Sequence, residues 1–203
     1  MKIACIGDSI TWGFTILKRN KYSYPAVLQT LVGPEHEVHN FGCNNATASA
    51  DGDVAYMKRK VYRDALALHP DVAIVMLGTN DTKPINYDAQ KFVYGYMTII
   101  NSLQELGAKV YLMTPPHILN QIEIRDGVKI KRIDPTPIAL SEETLNEHIL
   151  PAIRNFDLPV IEINNIITDI SQFNDGIHPN KEGAALIAQT VYSRLLADGI
   201  ISE

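Results

Sequence analysis

Only two cysteines, Cys5 and Cys43, occur among the 203 residues. That is too few for a disulfide framework, and they form no CxxC pair for zinc or redox chemistry. No apolar run approaches the roughly 20 residues needed to span a bilayer. The chain starts Met1-Lys2-Ile3 and enters an apolar segment at once, without the basic, apolar and small-residue series of a leader. It therefore reads as cytoplasmic, and an exported protein whose leader had been removed would read the same way. Positive charge does not predominate: the net charge is -5 with the six histidines neutral. The basic knots Lys58-Arg59-Lys60 and Lys129-Ile130-Lys131-Arg132 are too short to be more than solvated faces. Nothing in this balance favours nucleic acid or an anionic membrane as a partner. No GxGxxG or GxxxxGK[ST] loop is present, which removes the usual phosphate cradle of nucleotide and flavin binders. His36, His39, His69 and His148 show no ligand spacing with one another, so no metal and no cofactor are expected.

What is present is ordinary globular material. Hydrophobic residues make up 46% and charged residues 20%, a composition that can build a core and argues against long disorder. At this length one domain, residues 1–203, is expected. Apolar, β-branched runs recur at Ile3–Ile6, Glu37–Phe41, Val72–Leu77, Lys109–Met113 and Pro159–Ile163. Each pair is separated by a stretch with apolar residues at three- and four-residue spacing: Tyr24–Leu31, Lys58–Leu68, Ala89–Leu106 and Ser141–Phe156, with Lys181–Leu195 following the last strand. Strands alternating with helices predict a five-stranded parallel sheet with right-handed crossovers, an α/β fold in a three-layer α/β/α sandwich. Helix ends carry local signals: Ser141 precedes Glu142 and Glu143 as a cap, and Gly107 stops the helix before it.

The stretch from Thr114 to Pro137 breaks this rhythm. Within it, Gln121–Lys131 alternates polar and apolar residues around Asp126-Gly127, which predicts a hairpin. It follows the fourth strand and so leaves from the carboxyl edge of the sheet, where open α/β folds bind ligands. A flap over a site, an oligomer contact and a plain surface hairpin all fit this pattern.

Four segments carry candidate chemistry. The first strand ends in Gly7-Asp8-Ser9-Ile10-Thr11, which places the Ser9 hydroxyl where the chain leaves the sheet. This is not a GxSxG elbow, because Thr11 stands where the second glycine would be; alone it could equally be a turn and helix cap. Asp175-Gly176-Ile177-His178-Pro179 sets a carboxylate three residues before an imidazole, a spacing that lets Asp175 hold one ring nitrogen while the other faces a hydroxyl. A free imidazole titrates near pH 6.5, so such a ring can take a proton at neutrality. Asp175 could instead cap the following helix, and both roles can coexist. The second strand runs into Asn40-Phe41-Gly42-Cys43-Asn44 and the third into Gly78-Thr79-Asn80-Asp81. These can supply a backbone N–H at Gly42 and a side-chain amide at Asn80, the donors that acyl transfer aims at an oxyanion. Each loop taken singly is a common glycine and asparagine turn.

Taken jointly and in order, Gly7-Asp8-Ser9, the Gly42 block, Gly78-Thr79-Asn80-Asp81 and Asp175-Gly176-Ile177-His178 resemble the four signature blocks of the SGNH (GDSL) hydrolase family. The resemblance implies a flavodoxin-like fold with strand order 2-1-3-4-5 that serves esterases, acetylesterases, thioesterases and lysophospholipases. It implies Ser9 as nucleophile and backbone donor, Gly42 as second backbone donor, Asn80 as side-chain donor, His178 as base and Asp175 as its partner. Asp8 and Asp81 take supporting places, Asp81 tying its loop down by hydrogen bonds. The chain departs from the commoner pattern after Gly42, where many relatives have Ser-Gly before Ala-Thr and this one has Cys43-Asn44-Asn45-Ala46-Thr47. That change touches the neighbouring acyl pocket.

Trp12, Asn44 and His117 are candidate substrate contacts. For Trp12, as for Phe14 and Tyr22, core packing explains the residue equally well, and for His117 an exposed loop histidine is the simpler reading. Cys5 reads as a buried thiol. The expectation is a serine esterase for a small-molecule or carbohydrate ester, releasing a short acyl group such as acetyl. A lysophospholipase or thioesterase of the same family, or an inactive glycan-binding module, is the alternative.

Overall fold

A computed structural model describes residues 1–119 and 139–202 in full, together with the backbone of Ile122–Arg125 and Val128–Lys131. Five parallel strands form the central sheet: β1 (Lys2–Gly7), β2 (Glu37–Gly42), β3 (Val72–Met76), β4 (Lys109–Met113) and β5 (Val160–Ile161). Their order is β2-β1-β3-β4-β5, the flavodoxin-like order.

Side chains alternate across the sheet, and the alternation splits the core in two. Ala4, Ile6, Ala73, Val75, Val110 and Leu112 point to one face. There they meet α2 (Lys60–Ala67), α3 (Ala89–Glu105) and α4, a composite helix running Glu142–Thr144, Leu145–Ile149 and Leu150–Arg154. Ile3, Cys5, Val72, Ile74, Met76 and Tyr111 point to the other face, against α1 (Tyr24–Val32) and α5 (Lys181–Ala197). The result is the expected three-layer α/β/α sandwich. Both faces of the middle strands are covered, which is why β3 reads as an unbroken apolar run.

Capping chemistry sets several boundaries. Asp88 accepts from the N–H groups of Gln90 and Lys91 at 3.0 Å each to start α3, and Gly107 at φ 86 ends it. Ser141 Oγ accepts from Thr144 N at 3.0 Å, and Asn180 Oδ1 from Gly183 N at 3.0 Å.

Three boundaries differ from expectation. β5 is two residues long, not five: Pro159 has no N–H for the ladder, and Ile163 N turns back onto Ile161 O at 3.0 Å. α4 widens to a π-helix at Leu145–Ile149 just ahead of Pro151, which cannot donate to the preceding turn. A 3-10 turn, Tyr56–Lys58, precedes α2, which starts only at Lys60.

Ile122–Arg125 pairs antiparallel with Val128–Lys131. The Asp126-Gly127 pair and the remainder of 120–138 lie outside the described residues. Among the described residues, no helix is long and apolar enough to cross a membrane.

One glycine tests packing against propensity. Gly95 lies inside α3, and a Cβ there would stand 2.2 Å from the Ala48 carbonyl oxygen. Helix propensity alone would reward Gly95→Ala by about 1 kcal/mol. The expected outcome is the opposite sign, a loss of about 1–3 kcal/mol in urea unfolding, because α3 must back away from the loop after β2.

Candidate active site

The carboxyl ends of β1 and β2 carry a single helical turn, Ser9–Trp12. Its seat is made by two glycines. A Cβ on Gly7 would meet Thr11 Oγ1 at 2.1 Å, and one on Gly42 would meet Trp12 N at 2.1 Å. The turn is capped by Asp8, whose Oδ1 accepts from Ile10 N at 2.9 Å, and its backbone is held by Asn40 Nδ2, which donates to Thr11 O at 2.8 Å. Ser9 thereby becomes the first residue of a helical turn, its own N–H without an intrahelical partner.

The second half of the site comes from the loop before α5. His178 Nε2 lies 2.9 Å from Ser9 Oγ, and His178 Nδ1 lies 2.7 Å from Asp175 Oδ2. Asp175 Oδ1 accepts from the N–H groups of Ile177 at 3.0 Å and His178 at 2.8 Å. One carboxylate oxygen thus shapes the loop while the other orients the ring. Burial works to raise the Asp175 carboxyl, but the backbone and ring donors of His178 and the Ile177 N–H prevail and hold it below the ordinary carboxylate value.

The loop is braced from two sides. Leu119 N donates to Gly176 O at 2.6 Å, and Asn174 Nδ2 donates to Thr15 Oγ1 at 2.9 Å and Thr15 O at 3.3 Å. Phe14 packs edge-on to the His178 ring at 4.9 Å between centroids.

Asn80 opens the 3-10 turn after β3. Its Nδ2 donates to Ala46 O at 3.2 Å and lies 3.5 Å from Asp8 Oδ2. Asp81 is buried and accepts from Ala48 N and Ser49 N, both at 2.9 Å, so it ties the β3 loop to the β2 loop. Burial pushes its carboxyl up to about 7, against the pull of those two N–H groups. Burial likewise raises Asp8 to about 6, opposed by the Ile10 N–H and the His178 ring.

Gly42 is where the structure departs from the sequence expectation. Its N–H donates to Asn40 Oδ1 at 2.9 Å, and Asn40 is itself anchored through Nδ2, so this N–H is not open to an oxyanion. Gly42 is needed for close packing against Trp12. The residue that sequence reasoning passed over is Asn45, which holds a left-handed φ of 61. Cys43 N donates to Gly7 O at 2.9 Å and lays the 43–46 loop alongside Asp8 and Ser9. The exposed Asn45 has an N–H without a partner among the described residues. The available signal was the Asn44-Asn45 pair itself, since asparagine is the non-glycine residue that best tolerates a left-handed backbone.

The remaining candidates divide. Trp12 lies under the Arg19 guanidinium, 3.9 Å from the ring centroid. The Asn44 carboxamide oxygen is buried without a partner among the described residues. His117 pairs through Nδ1 with Glu142, whose other oxygen accepts from Ile118 N at 2.6 Å. That hydrogen bond raises the His117 ring above its usual value and leaves the residue anchoring the segment after β4. Burial raises the Cys43 thiol and pushes Cys5 up to about 12, so both stay protonated. No group of three metal-ligating side chains occurs among the described residues.

Residues 5–186 match the profile of the GDSL-like lipase/acylhydrolase family. An acetylxylan esterase from Xylanibacter ruminicola is 34% identical over 212 residues, covering 94% of this chain. The chain spans 42% of that relative's length. Among solved structures, the carbohydrate acetylesterase Est24 from Sinorhizobium meliloti superposes with a TM-score of 0.73 at 19% identity, over 97% of this chain and 98% of its own. An aryl esterase from M. Smegmatis gives 0.71 at 18% identity, over 97% and 98%. At such identities the two structures speak for the fold.

Asp81 makes stability depend on pH. Its folded value of about 7 lies above the ordinary 3.8, so the folded state holds this proton more tightly than the unfolded chain does. The contribution is full below pH 3.8 and is lost as pH rises through about 7. The melting temperature of the wild type minus that of Asp81→Asn should therefore shrink between pH 5 and 8.5, measured by thermal unfolding across that range.

Proposed function

Because the chain belongs to the GDSL-like lipase/acylhydrolase family of carboxylic ester hydrolases, we propose that it is a serine esterase working through an acyl-enzyme on Ser9. The observation that carries this reading is the unbroken relay from Ser9 Oγ to His178 Nε2 at 2.9 Å and from His178 Nδ1 to Asp175 Oδ2 at 2.7 Å. Ser9 Oγ attacks the ester carbonyl carbon as His178 Nε2 takes its proton, and Asp175 steadies the imidazolium that results. The N–H groups of Ser9 and Asn45 receive the charge on the carbonyl oxygen, joined by Asn80 Nδ2 as it exchanges its long 3.5 Å contact with Asp8 Oδ2 for that oxygen. The alcohol leaves with the proton from His178. Water, deprotonated by the same ring, then attacks the acyl carbon and releases the acid and Ser9.

The substrate proposed is a carbohydrate ester of a short acyl group, acetate. It is supported by the acetylxylan esterase relative at 34% identity. A carbohydrate-binding role without catalysis is disfavoured by the intact hydrogen-bonded relay.

Three outcomes test the scheme with p-nitrophenyl acetate. Ser9→Ala should lose more than about a thousandfold in kcat, and a parental rate would exclude the nucleophile. Asn80→Ala should lose about 100- to 1000-fold. Asn45→Gly should stay within about threefold of wild type, since the donor is main chain and glycine takes a positive φ freely. In a chain-length series, acetyl esters should be cleaved faster than long acyl esters; the reverse order would replace acetylesterase by lysophospholipase.

A further inference from the structure

The loop that follows the nucleophile builds a groove. Residues 12 to 20 line an open depression of about 610 Å³. Phe14, which packs edge-on to His178, shares this lining with Lys18, Arg19 and Asn20. A second cavity, of about 470 Å³, shares Arg19 and Asn20 and adds Lys21. The two adjoin at Arg19 and Asn20 and form one strip beside the turn that carries Ser9.

The charge on this strip is unlike that of the rest of the chain. No acidic residue occurs between Asp8 and Glu35, whereas Lys18, Arg19 and Lys21 fall within four positions, in a protein of net charge -5. Lys181, at the start of α5, joins them from the other end of the sequence: its Nζ lies 4.4 Å from the centre of the Tyr22 ring, over which Lys21 Nζ also sits, at 5.2 Å. Among the described residues none of these four cations forms an ion pair with a carboxylate. Arg19 is pre-set. It stacks on Trp12 and donates from Nη1 to Trp12 O at 3.3 Å, which fixes the guanidinium plane and leaves further donors for an anion. Clustered cations without counter-ions repel one another. Their close grouping beside a hydrolytic site is accounted for when an anion is what the strip receives.

We infer that the substrate is an acetylated glycan carrying negatively charged substituents, its ester at Ser9 and its charged neighbouring unit on the Lys18–Arg19–Lys21–Lys181 strip. This rests on the ester hydrolase reading above and narrows its substrate. A uronate carboxylate and a sulfate ester present the same chemistry to these cations, and separate substrates distinguish them.

The test uses the wild-type protein and three acetylated oligosaccharides of equal length: neutral, uronate-bearing and sulfate-bearing. kcat/KM is measured in low salt and again in salt high enough to shorten the Debye length to about 4 Å. A charged substrate should be preferred by about fivefold in low salt, and the preference should fall below about twofold in high salt. Whichever anion gives the larger ratio names the substituent. In Lys18→Glu/Lys21→Glu the charged-to-neutral ratio should drop below one, and in Lys18→Gln/Lys21→Gln it should approach one. Equal cleavage of neutral and charged substrates in low salt, with acetate still released, overturns the inference and leaves the esterase reading standing. Failure to cleave any acetyl ester, p-nitrophenyl acetate included, overturns both.

Discussion

The seating of one helical turn on the ends of two parallel strands is the contact on which the rest of this site depends. Thr11 and Trp12 sit where side chains on Gly7 and Gly42 would have to be. That approach lets Asn40 hold the Thr11 carbonyl and sets Thr11 Oγ1 3.1 Å from the buried Tyr24 hydroxyl. It pins Ser9 at the central edge of the sheet, within reach of loops that follow β2, β3 and β5. A methyl group at either glycine would lift the turn, and the 2.9 Å contact with His178 Nε2 could not survive that lift.

Two buried carboxyls hold the surrounding loops in register with that turn. Asp8 and Asp81 are both almost fully enclosed, a costly place for charge that only directed N–H donors make tolerable. Asp8 reaches the turn and approaches Asn80; Asp81 reaches the segment after β2. The donors of three separate loops are therefore positioned by side chains that need never meet a substrate. Their raised pKa values record the enclosure and not the chemistry.

The sheet and its order were legible because burial on both faces leaves continuous apolar runs, as in Val72–Met76, and because four motifs recur in a known order. What was not legible came from geometry that the residue type conceals. Gly42 looked like an exposed donor, yet its missing side chain makes room for Trp12 while its N–H turns to Asn40. Asn45, with an unremarkable polar side chain, carries the left-handed backbone. Pro151 looked compatible with a continuous helix, and the strain was absorbed by a π-turn before it. Lys18, Arg19 and Lys21 are neighbours in the sequence, but Lys181 joins them only through the folded Tyr22.

The contact between Ser9 and His178 closes a loop of 169 residues, and the Asn174 bonds to Thr15 close one nearly as long. Closing loops of that span is costly in chain entropy, so both contacts rest on the pairing of the strands between them. A chain still emerging from the ribosome, or one clipped ahead of Asp175, holds a serine with no base to awaken it. An electrophile that labels Ser9 would accordingly count finished molecules and pass over partial ones.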